Sequence, residues 1–295
     1  MLLQVIEQQR RQLGDLEVGR VLPSAALRMV GPFVFFDHIG PVNLPAGLAR
    51  SADVRPHPHI GLSTVTYLFD GEIVHRDSVG STLPIHPGEV NWMVAGSGIT
   101  HSERFEKARA QGDALHGIQS WVALPTEEEE VTPSFAHYGC KALPEQHAKG
   151  VWMRLIAGEA YGMRSPVKTH SPLFYLHARL APGATVQLPY QYPERAAYVV
   201  SGEVQADNVR YRPGQMLIFG TGPGASLQAI SESTLMLLGG DSVGPRHVEW
   251  NFVSSSRERI EEAKADWRAG RMKLPAADHD EFIPLPDSDA SHRTA

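Results

Sequence analysis

Short runs of β-branched, aliphatic and aromatic residues recur along most of the chain, separated by glycine and proline, and this alternation predicts strands joined by tight turns. In residues 1–140 the clearest runs are Thr64–Phe69, Val90–Val94 and Ile118–Leu124. Asp70-Gly71 is a hairpin signal that sends the chain into a further strand at Glu72–His75. A second β-rich region has the same grammar: Val151–Ala157, Leu173–Leu180, Thr185–Leu188, Ala196–Val200, Gly202–Ala206, Gln215–Phe219, Ala225–Ile230 and Thr234–Gly239. After that the period changes. Ile260, Ala263 and Trp267 recur at helical spacing, Ser255 with Glu258 forms a capping box ahead of them, and Gly270 ends the run. Such a stripe is expected to pack on its own barrel. The first dozen residues suit a short helix, and Glu127–Glu130 suits a solvated loop or helix start. Ser288–Ala295 is polar enough to predict disorder.

Length turns this pattern into an architecture. At 295 residues the chain exceeds the span of one hydrophobic core. The expectation is an all-β protein of two barrels with a short C-terminal helix, divided into residues 1–140 and 141–295. Hydrophobic residues at 42% and charged residues at 20% describe an ordinary globular chain. A formal charge of −6 argues against a nucleic-acid-binding surface, and Arg10-Arg11 is too small a basic cluster to change that. Cys140 is the only cysteine, so no intrachain disulfide can form and a reducing compartment is the natural home. The opening MLLQVIEQQRRQLGD lacks the apolar run of a signal peptide, and no apolar stretch is long enough to span a bilayer. The expectation is a cytoplasmic protein without a membrane partner.

Two motifs carry candidate chemistry: His57-Pro58-His59 and His101-Ser102-Glu103. Residues two apart on a strand point to the same face, so each pair can aim both members at one point. Three imidazoles and a carboxylate form a mixed N/O shell suited to iron, manganese, nickel, copper or zinc, with two positions left open on an octahedral ion. With 14 histidines a chance H-x-H is easy to find, so context decides. The first pair precedes the run beginning at Ser63, and the second follows the turn Gly96-Ser97-Gly98. In the second β-rich region the chemistry is absent. No H-x-H stands near Gln191–Gly202, and Ser226 and Leu227 follow the Gly-rich turn where a ligand histidine would be wanted. His170 and His177 are expected to be structural.

The arrangement resembles a cupin, whose motifs approximate G-x5-H-x-H-x3,4-E-x6-G and G-x5-P-x-G-x2-H-x3-N. His57 and His59 match the paired histidines, Thr64 stands where the glutamate is expected, and Gly71 follows at the required spacing. In the second motif Gly98 and His101 match, while Gly96 replaces the proline and Phe105 the asparagine. Glu103 restores a carboxylate from the other strand. That substitution is similar to the pirin family, as are PFVFFDHIGP (Pro32–Pro41), the segment His57–Ser81, GEVNWMVAGSGITHSE (Gly88–Glu103), GIQSWVALP (Gly117–Pro125), PSFAHY (Pro133–Tyr138) and DEFIPLP (Asp280–Pro286).

The resemblance implies two cupin barrels, the first holding one divalent transition metal on His57, His59, His101 and Glu103, the second a metal-free duplicate. Fe(II) is the ion it suggests, with Cu, Ni, Mn or Zn as alternatives. It also implies activity like quercetin 2,3-dioxygenase, in which a flavonol or related enol is opened with O2 to a depside and carbon monoxide. In that reading Glu103 is both ligand and general base. Two other readings stay open. One is an iron-dependent redox sensor that binds a regulatory protein partner, the other a non-redox enzyme using zinc as Lewis acid. Phe36, Asp37, Trp92 and Met93 lie near the motif strands in sequence, and ordinary packing explains them better than substrate contact.

Overall fold

The computed structural model describes residues 1–13 and 16–286, so the polar tail Ser288–Ala295 lies outside the described residues. Among those residues strands dominate, and the α-helices are Glu106–Gln111 and Arg257–Arg268. No helix is long and apolar enough to cross a membrane. The chain forms two compact units that interleave along the sequence rather than dividing near residue 140.

One unit comprises Met1–Gln9, Gly19–His38 and Tyr138–Val243. Its main sheet runs Leu2–Glu7, Gln215–Phe219, Glu194–Ser201, Ser233–Gly240, Leu173–Leu180, Val151–Ala160, Glu145–Ala148. A four-stranded sheet runs Thr185–Gln187, Ser226–Ala229, Val204–Ala206, Val209–Tyr211. Inward positions of both sheets, among them Leu155, Leu176, Ala197, Leu235, Val186 and Leu227, meet in one apolar core. This is a sheet closed over its own interior. The opening residues correct the expected helix. Leu2–Glu7 is a strand paired antiparallel with Gln215–Phe219, Val5 opposite Leu217, and Gln9–Leu13 is a second strand. A free sheet edge offers backbone partners that an isolated short helix lacks, and this tertiary pairing overrides local propensity.

The other unit comprises Arg10–Val18, Ile39–His137 and the chain from Gly244 onward. A four-stranded antiparallel sheet runs Val54–His59, Ile99–Arg104, Ile73–Asp77, Thr82–Ile85. In the larger sheet Leu62–Asp70 lies between Val90–Val94 and Asp113–Ala123. Leu68, Ile73, Ile85, Phe105 and Leu115 are core members. The C-terminal helix belongs to this unit, and its Ile260, Ala263 and Trp267 pack with Ile60 and Phe252. The cap is Ser256 rather than Ser255: its hydroxyl accepts from Arg259 N at 3.2 Å.

The acidic run opens in a 3-10 turn at Thr126–Glu128, in keeping with the expected helix start, but Glu129 is only 5% exposed rather than solvated. It accepts from Ser254 Oγ (2.9 Å) and Ser255 N (2.8 Å), and Arg246 Nε lies 2.9 Å away. Only its neighbours behave as the solvated acids that composition suggested; Glu130, half exposed, pairs with Arg259.

Candidate metal centre

Three adjacent strands of the four-stranded sheet each carry a pair of polar residues at i and i+2. Val54–His59 supplies His57 and His59, Ile99–Arg104 supplies His101 and Glu103, and Ile73–Asp77 supplies His75 and Asp77. Register lines them up: His101 stands opposite His57 on one side and Asp77 on the other, and Glu103 stands opposite His75. Cross-strand partners share a face of the sheet, so the pairs make one polar patch. All six are buried, between 1% and 8% exposed.

The donor atoms of His57, His59 and His101 lie within 4.8 Å of one another, and this group does not include Glu103. A register shift falls between His101 and Glu103, where Glu103 comes opposite Val54. The imidazole orientations are set from behind. His57 Nδ1 lies 2.9 Å from the Arg55 carbonyl and His59 Nδ1 lies 2.9 Å from the Asn251 carbonyl. A carbonyl only accepts, so both Nδ1 atoms carry the proton and both Nε2 atoms present a lone pair. His59 Nε2 is 3.1 Å from His101 Nε2. Two imidazole nitrogens sharing one ion at about 2.0–2.1 Å stand about 2.9–3.4 Å apart, so this spacing suits a common metal. His101 Nδ1 is buried with no hydrogen-bond partner among the described residues.

Electrostatics favour the same use. Burial is the main cause that lowers all three histidines, His57 to about 4 and the other two well below their ordinary value, with like-charge coupling among the rings adding to it. They are neutral at pH 7 and available as ligands. Burial pushes Glu103 up to about 7 in the metal-free protein. A cation between these groups relieves what burial costs the carboxylate.

His75 and Asp77 escaped the sequence reading, although His75-Arg76-Asp77 repeats the same i, i+2 spacing as the two motifs that were noticed. His75 Nε2 is 2.9 Å from Asp77 Oδ2, and its ring stacks on Phe135 at 4.3 Å. The other Asp77 oxygen accepts from the backbone N–H of Val79, Gly80 and Ser81 at 2.9–3.0 Å. Asn251 was invisible for a different reason: its contribution is a backbone carbonyl. That carbonyl arrives because Gly61, at φ +66°, leaves room for the segment that follows; a Cβ there would stand 2.0 Å from Val253 O.

The remaining candidates take packing roles. Phe36 packs on Tyr198 at 5.0 Å and Asp37 pairs with Arg20, both in the other unit. Trp92 and Met93 are buried in Val90–Val94. His177 is buried edge-on to Trp152 at 4.9 Å.

Comparison with known proteins identifies the family. The family model for pirin matches residues 15–122, and that for the pirin C-terminal cupin domain matches residues 175–273. The chain belongs to the pirin family. A pirin-like protein of Caulobacter vibrioides is 60% identical over 284 residues, which cover 96% of this chain and 99% of that one. A Pseudomonas aeruginosa protein provisionally named a quercetin 2,3-dioxygenase is 34% identical, covering 90% of this pirin and 83% of its relative. The crystal structure of quercetin 2,3-dioxygenase from Acinetobacter baumannii superposes with a TM-score of 0.89 at 29% identity, covering 97% and 95% of the two chains. The all-β, two-cupin architecture is therefore that of the family.

Proposed function

We propose that this pirin is a metal-dependent dioxygenase of the quercetin 2,3-dioxygenase type, which opens a flavonol or related enol with O2. The observation that carries the reading is the convergence of three neutral, buried imidazoles, two of which, His57 and His59, have their outer nitrogens fixed by carbonyls. The likeness to a quercetin 2,3-dioxygenase structure supports the substrate class.

In this reading His57, His59 and His101 hold one divalent ion, Fe(II), and Glu103 completes the set. The bound ion supplies Lewis acidity and one-electron chemistry with O2. Glu103 contributes a proton acceptor. A ligating carboxylate can shift its coordination and take the proton of an enolic 3-hydroxyl that lies within hydrogen-bond distance. Trp121, edge-on to His59 at 5.1 Å, and Phe135, stacked on His75 at 4.3 Å, put apolar surface beside the patch, which would help keep water from the deprotonated substrate. The carbons lost as carbon monoxide and kept as depside come from the substrate, and both oxygen atoms of O2 enter the products.

Iron-loaded protein in air is expected to bleach quercetin with release of carbon monoxide, and the reaction should stop when O2 is withheld. Bleaching without carbon monoxide above a His101→Ala control would refute the dioxygenase reading. Oxidation-dependent capture of a protein by the iron form, without turnover, would favour a redox sensor instead.

A further inference from the structure

The two strands that carry the proposed ligands are gripped from behind by one late segment of the chain. Ser102 and Arg104 alternate with His101 and Glu103 along Ile99–Arg104, so they point to the opposite face of the sheet. There Ser102 Oγ donates to Asp278 Oδ2 at 2.5 Å, and Arg104 Nε and Nη2 donate to both oxygens of Asp278 at 2.6 Å. Arg104 is 1% exposed, an unusual depth for a guanidinium, and it also meets Glu281 at 3.0 Å and Asp53 at 3.3 Å. On the same strand Thr100 Oγ1 donates to the Lys273 carbonyl at 2.5 Å. On the partner strand Ile283 N donates to the Pro56 carbonyl, next to His57, at 2.8 Å. Trp267 Nε1 in turn donates to the Ile283 carbonyl at 3.0 Å, and the Asn251 carbonyl fixes His59.

We infer that the segment from Asn251 to Ile283 is the positioning element of the metal centre, with Asp278 as its principal positioning residue. This rests on the metal reading proposed above. Apolar packing of the helix would suffice to attach this segment to the barrel, and that packing exists in Ile260, Ala263 and Trp267. The added hydrogen bonds are directional. They attach at residues 56, 59, 100, 102 and 104, each a ligand or within one residue of one, on both ligand strands. A bidentate Arg–carboxylate pair fixes an orientation as well as a distance, so it holds the strand against sliding or twisting. Metal affinity depends on donors held to within a fraction of an ångström, and that support comes from the groups behind them.

The test uses full-length protein and cobalt(II) alone, whose absorption bands report the geometry of its ligands. Asp278→Asn is expected to bind cobalt(II) about 10–100-fold more weakly than wild type. Its bands should shift, while the circular dichroism of the metal-free protein stays as in wild type. Wild-type affinity with unshifted bands would overturn the inference. If Asp278→Asn does not fold, Ser102→Ala decides in the same way, because it removes only the hydroxyl that ties the ligand strand to Asp278. His101→Ala separates the two layers of reasoning. Equal cobalt binding by wild type and His101→Ala would sink the metal centre and this inference together, whereas loss in His101→Ala with full retention in Asp278→Asn would sink this inference alone.

Discussion

Glu129→Ala tests whether the acidic run between the barrel strands is a folding element. The carboxylate holds three donors from Ser254 and Ser255, at 2.8–3.1 Å, and sits 2.9 Å from Arg246 Nε. The Arg246 side chain is 1% exposed and that of Glu129 is 7% exposed, so removing the acid takes away the nearest counter-charge of a buried cation and leaves Glu127 as the acid still acting on it. Breaking one partner of such a pair costs about 3–5 kcal/mol. For a cooperative unit of this size that corresponds to about 6–20 °C in melting temperature. Glu130→Ala is the internal comparison. Its side chain is 55% exposed and its partner Arg259 lies at 2.8 Å, a surface pair of about 0–1 kcal/mol and a shift under about 4 °C. Thermal melts by circular dichroism at neutral pH measure both. The double variant Glu129→Leu with Arg246→Met is expected to recover much of the loss, because neither charge then remains buried. Equal shifts for Glu129→Ala and Glu130→Ala would refute the reasoning and return the run to the solvated loop that its composition suggests.

Glu103→Gln keeps size and an oxygen donor but loses charge and basicity, so at matched metal occupancy flavonol turnover should fall about 10²–10⁴-fold; unchanged turnover would leave Glu103 without a role as base. The chain should bind one transition ion, because the inner positions of the other unit are filled by side chains such as Val186, Leu188, Ala197 and Leu227; elemental analysis returning two tightly held ions per chain would contradict this. Burial alone would raise Asp77, but hydrogen bonds from His75 and the Ser81 backbone outweigh it and hold the carboxyl below its ordinary value. Its stabilisation is therefore complete above about pH 4 and is lost as pH falls through the depressed folded value, so Asp77→Asn should be less stable at pH 7 and show a shallower acid loss in urea titrations.

Much of the fold was readable because its elements are local. Val90–Val94, Leu173–Leu180 and Gln215–Phe219 coincide with the runs that predicted them, since alternation within a few residues is enough to define a strand. Elements that depend on distant partners were not readable. Leu2–Glu7 is a strand only because Gln215–Phe219 stands beside it, and Glu129 is buried only because residues 246, 254 and 255 return to it. The interleaved division into units has the same origin, since no composition shift marks residue 38 or residue 244 as a boundary.

The candidate site divides along the same line, and the division says something about how such centres are built. A metal ligand must be a particular side chain at a particular spacing, so the proposed ligands His57, His59 and His101 announce themselves through H-x-H and H-x-E. Glu103 was named by the same spacing, yet its carboxylate stands outside the close histidine group, at a register shift that spacing cannot reveal. The groups that orient ligands obey no such code. In the proposed centre a carbonyl 192 residues from His59 and a carboxylate 176 residues from Ser102 would do that work, and many residue types could supply the first. Donor identity is thus written locally, while donor placement is spread over the returning C-terminal segment. If that is so, substitutions in residues 251–283 that leave the fold intact will alter metal affinity without touching a ligand, and the sequence motif alone will fail to rank them.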